Sequence, residues 1–475
     1  MTVFKKMRIY IKDLKNHIGK EIKIAGWVDT VRHQGKMAFF DFRDTTGKIQ
    51  GVVFGKPEVL EKTKEMRDEF VVEVKGIVNE RPEKARTDVQ NGDIELEIVG
   101  IEILNKAETP VFDIKDDTRK INEETRLKYR YLDLRTDRMQ KNIRNRYKVI
   151  KFIRDFMDKE NFVEVETPML TKSTPEGARD YLVPARLYPG KFFALPQSPQ
   201  QYKQLLIASG IEKYFQIARC MRDEDLRGDR QPEFTQLDIE MAFVSEEDVL
   251  QLNEKLLIDI IKKLYPEKRI QQVPFPRITY KEAMEKYGND RPDIRENKED
   301  SNLLVFCWVV DFPFFEKTAK SDDPQAKGEW TFTHNPFSLS KPEDIEKLKN
   351  KQDIGSITAS QYDIVLNGSE IGGGSIRAHD PEILRSILNI LGHSEEKIEE
   401  NFGHMLKALG SGTPPHGGIA WGMDRLLTML EGEESVREVI AFPKTREARD
   451  PMMNAPAEVE KKQLDELGIE IKKNK

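Results

Sequence analysis

The feature that most constrains the fold is a charged segment, residues 222–240, that follows an apolar run at residues 214–220. The apolar run predicts a buried strand, and the alternation of apolar residues over 234–241 predicts a returning strand. Gly228 and Pro232 lie between them and are typical of a long hairpin turn. Arginines and carboxylates alternate through this loop although both flanking strands are apolar. The pattern therefore indicates a site that holds an anion and a cationic group together, rather than a solvated surface loop.

The composition is that of a highly charged globular protein. The chain has 475 residues, 38% of them hydrophobic and 34% charged, which allows two to four domains. No apolar run approaches the length needed to span a bilayer, and the first residues lack the apolar core of a signal peptide. The net charge of −6 disfavours a nonspecific nucleic-acid coat but is compatible with a local basic face.

The two cysteines indicate the compartment. Cys220 and Cys307 both lie in apolar runs, so we predict buried free thiols rather than a disulfide or a zinc site. A cytoplasmic location is expected from this use of cysteine.

The N-terminal part predicts a small β-barrel. Residues 20–104 contain five short strand patterns separated by turn signals, with a probable helix after the third. This order fits a Greek-key barrel of the OB type, on which aromatic side chains can stack unpaired bases. Alternation places Phe40 and Phe42 on one face and Phe39 on the other, close to basic residues. The three rings can equally be core residues, so the residues alone leave base binding open.

A polar stretch without clear period, residues 108–135, predicts a hinge. Thr136 then caps a long amphipathic helix whose apolar stripe, from Met139 to Met157, predicts core packing or a subunit contact. The next pattern, residues 162–170, predicts a strand closed by Pro168, which suits an edge strand or an interface.

Several later segments carry candidate site residues. A polar loop at 171–180 is suited to act as a mobile lid, and a helix that begins near Gln201 presents Lys203. Two strand patterns flank Asn367-Gly368, a strong hairpin signal. The second of them contains three successive glycines, which indicates close approach of a ligand or of another backbone.

Together, residues 162–170, 222–240 and 417–427 resemble the three ordered motifs of class II aminoacyl-tRNA synthetases. A barrel placed before them resembles the aspartyl, asparaginyl and lysyl subgroup. Residues 174–180, 197–200, 230–238 and 372–377 look specifically like bacterial aspartyl-tRNA synthetases. The resemblance covers nearly the whole chain.

The resemblance implies an α+β fold with an N-terminal OB-fold barrel and a catalytic domain built on an antiparallel sheet flanked by helices. It implies an anticodon-binding domain at 1–107, a hinge at 108–135 and a catalytic domain at 136–475. Two departures from the family are visible. The large domain that bacterial members usually insert between the second and third motifs is replaced by a short link near 275–303, and Asn335 stands where a second histidine is usual.

The implied reaction converts L-aspartate and ATP to aspartyl-adenylate and pyrophosphate. It then transfers the aspartyl group to the 3′ end of tRNA(Asp), with release of AMP and with tRNA(Asn) left open. No protein nucleophile is required, because positioning and charge neutralisation accelerate the in-line attack. The resemblance gives the catalytic roles to Arg222, Glu224 and Arg425, with Arg222 bridging the substrate α-carboxylate and the α-phosphate.

The resemblance also assigns the binding residues. The aspartate pocket is expected to contain Glu176, Ser198, Gln200, Lys203, Arg222, Asp238, His334 and Arg377. The ATP site is expected to contain Arg222, Glu224, Gln231, Phe234, Glu370, Gly422, Asp424 and Arg425, with adenine between Phe234 and Arg425. The anticodon is expected to meet Arg32, Phe39, Gln50 and Glu95, with Phe39 stacking on a base.

Three of these assignments rest on further reasoning. Lys203 and Arg377 face one small pocket, which is costly unless an anion lies between them, and the β-carboxylate of aspartate would supply it. Asp363 and Glu370 flank the hairpin turn, where carboxylates suit Mg²⁺, although such residues can also be exposed hairpin carboxylates. His334 can close over the amino acid or be a structural histidine.

Rival functions remain. Asparaginyl-tRNA synthetase shares the barrel and the motifs, but the runs at 174–180, 197–200 and 372–377 favour aspartate. An asparagine synthetase-like relative has no use for an anticodon-reading barrel. A catalytically inactive nucleic-acid-binding module would not need Arg222, Glu224, Asp363, Glu370 and Arg425. A homodimer is expected from the helix stripe and Pro168.

Overall fold

The computed structural model describes residues 8–173, 177–224, 228–318 and 328–472. Its contacts divide the chain into Met1–Asp117, here called the barrel unit, and Thr118–Lys475, here called the sheet unit. No helix of the described residues is long and apolar enough to cross a membrane.

The barrel unit closes five strands in the order β1-β2-β3-β5-β4, as the sequence predicts. The elements are β1 (Glu21–Gln34), β2 (Met37–Asp44), β3 (Gly47–Phe54), α1 (Pro57–Thr63), β4 (Val71–Glu80) and β5 (Ile94–Asn105). Phe40 and Phe42 are buried and stack with their ring centroids 5.6 Å apart. Phe39, on the opposite face of β2, is half-buried, so the predicted division of the three rings is confirmed.

The sheet unit begins with helices, which lie in the C-terminal part of the segment that the sequence predicts to be a hinge. Its first elements are α2 (Glu123–Lys128), α3 (Arg130–Asp133) and α4 (Asp137–Lys159), the last capped by Thr136 Oγ1 as expected. Arg126 and Arg130 are buried against Asp133, and Arg126 also pairs with Glu438 at 2.6 Å. Glu438 lies 312 residues from Arg126 in sequence, which is why periodicity could not reveal this packing.

The rest of the sheet unit alternates short and long elements. The strands are β6 (Val163–Glu164), β7 (Leu182–Pro184), β8 (Phe192–Ala194), β9 (Lys213–Met221), β10 (Glu233–Ala242), β11 (Arg269–Ile270), β12 (Arg277–Thr279), β13 (Leu303–Leu304), β14 (Phe306–Val310), β15 (Phe315–Lys317), β16 (Trp330–Phe332), β17 (Gln361–Leu366), β18 (Ser369–Ile376) and β19 (His416–Gly422). The helices are α5 (Gln200–Ala208), α6 (Glu246–Leu264), α7 (Tyr280–Tyr287), α8 (Ile345–Asn350), α9 (Pro381–Ile390), α10 (Glu395–Leu409), α11 (Met423–Glu431) and α12 (Lys461–Leu467).

The central sheet has the strand order β12-β14-β17-β18-β19-β10-β9-β6. The inner pairs are antiparallel, and both edge strands, β12 and β6, pair in parallel. Apolar residues of the sheet pack with α4, α6 and α11 in one core that includes Ile153, Leu257, Ile419 and Leu427. The predicted α+β class with a mainly antiparallel catalytic sheet is confirmed.

The predicted strand at residues 162–170 is wrong in extent. Only Val163 and Glu164 pair, with Tyr214 and Phe215 of β9, and both are exposed. A strand at a sheet edge has one neighbour, and Pro168 has no N–H to offer a ladder. The edge position and the proline therefore leave most of this segment unpaired.

The glycine run of β18 permits close packing of backbones. A Cβ on Gly374 would lie 2.1 Å from the carbonyl oxygen of Gly418, which no side chain could accommodate. The prediction of close backbone approach is confirmed at this strand. Asn367 and Gly368 both have positive φ, +50° and +81°, as a two-residue hairpin turn requires.

Candidate active site

One cavity of about 330 Å³ opens on the sheet between β9, β10, β18 and β19. Its wall contains, from the predicted sites, Ser198, Gln200, Lys203, Arg222, Glu224, Gln231, Phe234, Asp238, His334, Asp363, Glu370, Arg377, Gly422, Asp424 and Arg425. Glu176 lies outside the described residues. Residues separated by more than 200 positions in sequence are therefore brought together around one space.

Four buried charged side chains lie together at the floor of the cavity. Lys203, Asp238 and Arg377 line it, and Glu240 pairs with two of them from outside the lining. Lys203 Nζ donates to Asp238 Oδ1 at 2.6 Å and lies 3.2 Å from Glu240 Oε2. The guanidinium of Arg377 grips both oxygens of Glu240, with Nε–Oε1 at 2.8 Å and Nη2–Oε2 at 3.1 Å. All four residues are almost completely buried. Here this group of Lys203, Asp238, Glu240 and Arg377 is called the charge quartet.

The charge quartet corrects one expectation. The sequence argument placed a substrate carboxylate between Lys203 and Arg377 because two buried cations need an anion. Glu240 already occupies that place. Burial by itself would raise the pKa of Glu240, but the charges of Arg377 and Lys203 outweigh it and hold this pKa at about 2. Sequence reasoning missed Glu240, yet a signal existed, because Asp238 and Glu240 alternate with apolar residues at 237, 239 and 241 in a strand predicted to be buried.

Asp238 is the member of the charge quartet that can accept a further hydrogen bond. Its Oδ2 is buried and has no hydrogen-bond partner among the described residues. Burial raises the pKa of Asp238, and the charge of Lys203 opposes that rise. A buried carboxylate oxygen without a donor is costly, so this atom is suited to a cationic ligand group.

Asp363 has a second such oxygen. Its Oδ1 is buried and unpartnered within the described part of the chain, and its Oδ2 lies 3.8 Å from His334 Nδ1. A Cβ on Gly373 would lie 2.7 Å from Asp363 Oδ1 and 4.0 Å from Glu370 Oε1, so both carboxylates reach the same glycine. Burial, and then the charge of Glu370, raise the pKa of Asp363 well above its usual range. Two hard oxygen donors that repel one another fit a divalent cation such as Mg²⁺.

Arg222 follows the last residue of β9 and begins the charged loop. Its guanidinium carbon lies 5.2 Å from the centre of the Phe234 ring, a cation–π contact across the hairpin. Glu224 accepts from Arg230 Nη1 at 2.9 Å. Arg425, on α11, lies 3.3 Å from Asp229 Oδ2 and donates to the carbonyl oxygen of Glu370.

Two predicted ATP-site residues are engaged by the protein itself. The amide of Gln231 donates to the carbonyl of Lys444 at 3.1 Å and accepts from its N–H at 2.7 Å. Asp424 accepts from Arg146 and, at 2.9 Å, from the backbone N–H of Thr235. These bonds fix β10, α11 and the segment at Lys444 around the cavity. Asn335, where a histidine is usual, accepts from the N–H of Phe337 at 2.7 Å and so stabilises its own loop.

The predicted anticodon residues lie close together on the barrel. Arg32 pairs across the β1–β2 ladder with Phe39, and Asp41 pairs across the β2–β3 ladder with Gln50. Arg32 bonds Asp41 at 3.1 Å. Arg81 donates to Gln50 and lies 3.7 Å from Glu95. The result is one polar surface with a single partly exposed aromatic ring among the predicted residues, here called the barrel face.

Comparisons with known proteins agree with this architecture. Residues 122–446 match the model of the class II tRNA synthetases (D, K and N), and residues 22–104 match the OB-fold nucleic acid binding domain. The chain therefore has the two-domain architecture of a class II aminoacyl-tRNA synthetase.

Curated relatives share most of the chain's length. An aspartate–tRNA(Asp/Asn) ligase of a Thermoanaerobacter species is 39% identical over 96% of this chain and 96% of the relative. One of a Hydrogenobaculum species is 40% identical over 96% of this chain and 98% of the relative. The chain belongs to the D, K and N family of class II tRNA synthetases.

Solved structures show the same fold. Asparaginyl-tRNA synthetase of Pyrococcus horikoshii, complexed with asparaginyl-adenylate, has a TM-score of 0.72 at 24% identity and covers 92% of this chain and 98% of its own. A putative aspartyl-tRNA synthetase of Leishmania major has a TM-score of 0.72 at 21% identity, covering 93% and 94%. At this identity the likeness concerns the fold alone.

Proposed function

We propose that this protein is an aspartate–tRNA ligase. It activates L-aspartate with ATP to aspartyl-adenylate and transfers the aspartyl group to the 3′ end of tRNA(Asp). The observation that carries the proposal is the cavity floor, where the cations Lys203 and Arg377 lie beside the unpartnered oxygen of Asp238. A small zwitterion with a second carboxylate matches these groups.

The ammonium of the substrate is bound by Asp238 Oδ2, with Gln200 and Ser198 beside it. The ammonium supplies the donor that this buried oxygen lacks. Glu176 and His334 are assigned to closing the pocket on the basis of the family resemblance.

The β-carboxylate is selected by hydrogen-bond donors rather than by net charge. Glu240 and Ser375 engage three of the five N–H groups of Arg377, so two remain for a ligand. Lys203 adds a donor of its own. Asparagine would turn an amide N–H₂ towards these donors and leave them unpaired, and sites built for a hydrogen-bonding group strongly reject a substrate that cannot pair.

The nucleotide lies over β10, β18 and α11. Arg222 bridges the α-carboxylate and the α-phosphate, where a guanidinium fork neutralises the charge that develops during attack. Phe234 stacks with adenine, and Arg425 contacts its other face or the terminal phosphate. Glu224, Gln231, Gly422 and Asp424 complete the ATP site, the last two by shaping the turn from β19 into α11.

Asp363 and Glu370 hold Mg²⁺ in this proposal. When bound, the ion neutralises phosphate oxygens and orients them. His334, next to Asp363, bounds the same part of the cavity.

The barrel unit binds the tRNA anticodon through the barrel face. Phe39 stacks on a base, while Arg32, Gln50 and Glu95 offer donors and acceptors to base edges. We assign residues 1–107 to this domain, 108–135 to the hinge and 136–475 to the catalytic domain with its shortened link.

The protein is proposed to act as a cytoplasmic homodimer. Both cysteines are buried and neither forms a disulfide, as reducing compartments allow. Apolar side chains are exposed on α4 and along 163–193, including Tyr147, Val163, Leu170 and Phe192. Large exposed apolar side chains such as these are candidates for a subunit contact. Sedimentation should give twice the chain mass, and a fully active monomer would remove this part of the proposal.

The decisive experiment is aminoacylation with purified tRNA(Asp) and tRNA(Asn), each with aspartate and with asparagine. We expect aspartate to be charged and asparagine to be rejected. Charging of asparagine alone would replace the proposal by asparaginyl-tRNA synthetase. Adenylate formation without transfer to either tRNA would instead favour the synthetase-like relative that acts without tRNA.

A further inference from the structure

A chain of three buried side chains leads from the cavity wall into the protein. Gln200 Nε2 donates to Gln204 Oε1 at 3.0 Å, and Gln204 Nε2 lies 3.0 Å from His416 Nε2. His416 Nδ1 lies 2.8 Å from the carbonyl oxygen of Pro414. Two of them, Gln204 and His416, have almost no exposed surface, and neither lines the cavity.

The direction of every bond follows from the inner end. The carbonyl of Pro414 can only accept, so His416 Nδ1 carries a proton. Burial lowers the pKa of His416, which keeps the ring neutral and leaves Nε2 as an acceptor. Gln204 therefore presents its N–H₂ to His416 and its oxygen to Gln200.

Gln200 must then present its own N–H₂ to Gln204. The oxygen of the Gln200 amide is then not used by Gln204, and Gln200 lines the cavity. No donor bonds this oxygen among the described residues. Turning the Gln200 amide over would set its Oε1 against Gln204 Oε1, two acceptors with no proton between them, and would lose the bond at 3.0 Å.

We propose that Gln204 and His416 are positioning residues that hold the carbonyl oxygen of Gln200 towards the substrate ammonium. This inference rests on the proposed function and deepens it. Asp238 Oδ2 and Gln200 Oε1 become two acceptors for one ammonium. A free Gln200 amide could turn its N–H₂ to the cavity, where it would face the ammonium with like polarity.

A double-mutant cycle tests the proposal with aspartate-dependent ATP–pyrophosphate exchange. Gln204→Met keeps the side-chain length and removes both amide groups, and we expect the KM for aspartate to rise about tenfold, as for loss of a hydrogen bond to a charged group. Gln200→Met should raise it at least as much. If Gln204 acts through Gln200, the double variant equals Gln200→Met within about twofold. Multiplying effects would overturn the proposal.

Succinate, which is aspartate without its amino group, separates positioning from general damage. Its inhibition constant should change less than about twofold in Gln204→Met, because it has no ammonium for Gln200 to bind. Equal weakening of succinate and aspartate would mean a structural role only. The KM for ATP should stay constant.

His416 gives an independent arm if Gln204→Met does not fold. His416→Leu removes the acceptor and should raise the KM for aspartate, whereas His416→Gln restores an acceptor at the same reach and should recover most of it. Equal KM values for aspartate in these two variants would refute the proposed positioning of Gln200 by Gln204 and His416. Asn253→Leu is the matched control, since it removes a buried amide that bonds only within α6, to Val249, at 2.7 Å. Wild-type protein without aspartate-dependent exchange would instead refute the proposed function.

Discussion

Removing Arg377 should separate its role in stability from its role in substrate binding. The charge quartet contains two cations and two anions, all buried. Arg377→Leu leaves Asp238 and Glu240 with Lys203 alone. Arg377→Leu combined with Glu240→Leu leaves one cation and one anion, Lys203 and Asp238, which are already bonded at 2.6 Å. The single variant is therefore unbalanced, and the double variant is balanced.

The magnitude follows from the pKa of Glu240. Arg377 and Lys203 hold this pKa at about 2 against an ordinary value of 4.5, although burial acts in the opposite direction. A displacement of that size corresponds to roughly 3 kcal/mol. Breaking a buried ion pair by removing one partner costs about 3–5 kcal/mol. The pKa displacement and the general cost of a broken ion pair therefore predict a loss of stability of the same order. We expect Arg377→Leu to lower the midpoint of thermal unfolding by roughly 5 °C or more.

The double variant should recover most of this stability, because apolar replacement of a buried pair is often neutral. Neither variant should catalyse aspartate-dependent exchange above about 1% of wild type, since the β-carboxylate loses a charged donor pair worth roughly 2–5 kcal/mol. Calorimetry and pyrophosphate exchange measure the two effects. A double variant that regains activity with its stability would refute the assignment of Arg377 to the substrate.

Three further outcomes are expected. Phe39→Ala should lower tRNA charging about tenfold by loss of base stacking, worth roughly 1–3 kcal/mol, and leave pyrophosphate exchange intact; equal losses would assign the barrel face another task. Asp363→Asn should raise the Mg²⁺ concentration needed for half-maximal exchange, and an unchanged requirement would exclude it as a ligand. Glu240 has a pKa below its unfolded value, so its stabilisation is present above about pH 4.5 and is lost as the pH falls towards 2. The double variant Arg377→Leu, Glu240→Leu should therefore lose less stability than wild type between pH 4.5 and about 2. Identical dependence of stability on pH in the two proteins would contradict this prediction.

Local signals in the sequence predicted the hairpins well. Asn367-Gly368 identified its turn because two successive positive φ values select these residues. The strands around Arg222 were evident from apolar alternation, and Thr136 capped the helix that followed it. Each of these features depends on neighbours within a few residues, so periodicity and turn chemistry contain the necessary information.

Long-range partners could not be predicted in the same way. The pairing of Glu240 with Arg377 joins β10 to the end of β18 across 137 residues, and that of Arg126 with Glu438 spans 312. The sequence shows that these residues are charged but not that they neutralise one another. For the same reason the hydrogen-bonded chain through Gln204 and His416 could not be predicted, since a glutamine in a helix and a histidine at the start of a strand have no local signature.

The pairing of Arg126 with Glu438 also constrains biosynthesis. Its two residues leave the ribosome 312 positions apart. At about 5–20 residues per second, the arginine is made roughly 15–60 s before its acidic partner. Until then α2 and α3 lack the C-terminal segment that packs against them. A truncated chain that stops before Glu438 would leave Arg126 without its second carboxylate partner, with Asp133 alone beside it among the described residues. The barrel unit is complete within its own residues and can fold during this interval. Translation itself therefore separates the folding of the barrel unit in time from that of the sheet unit.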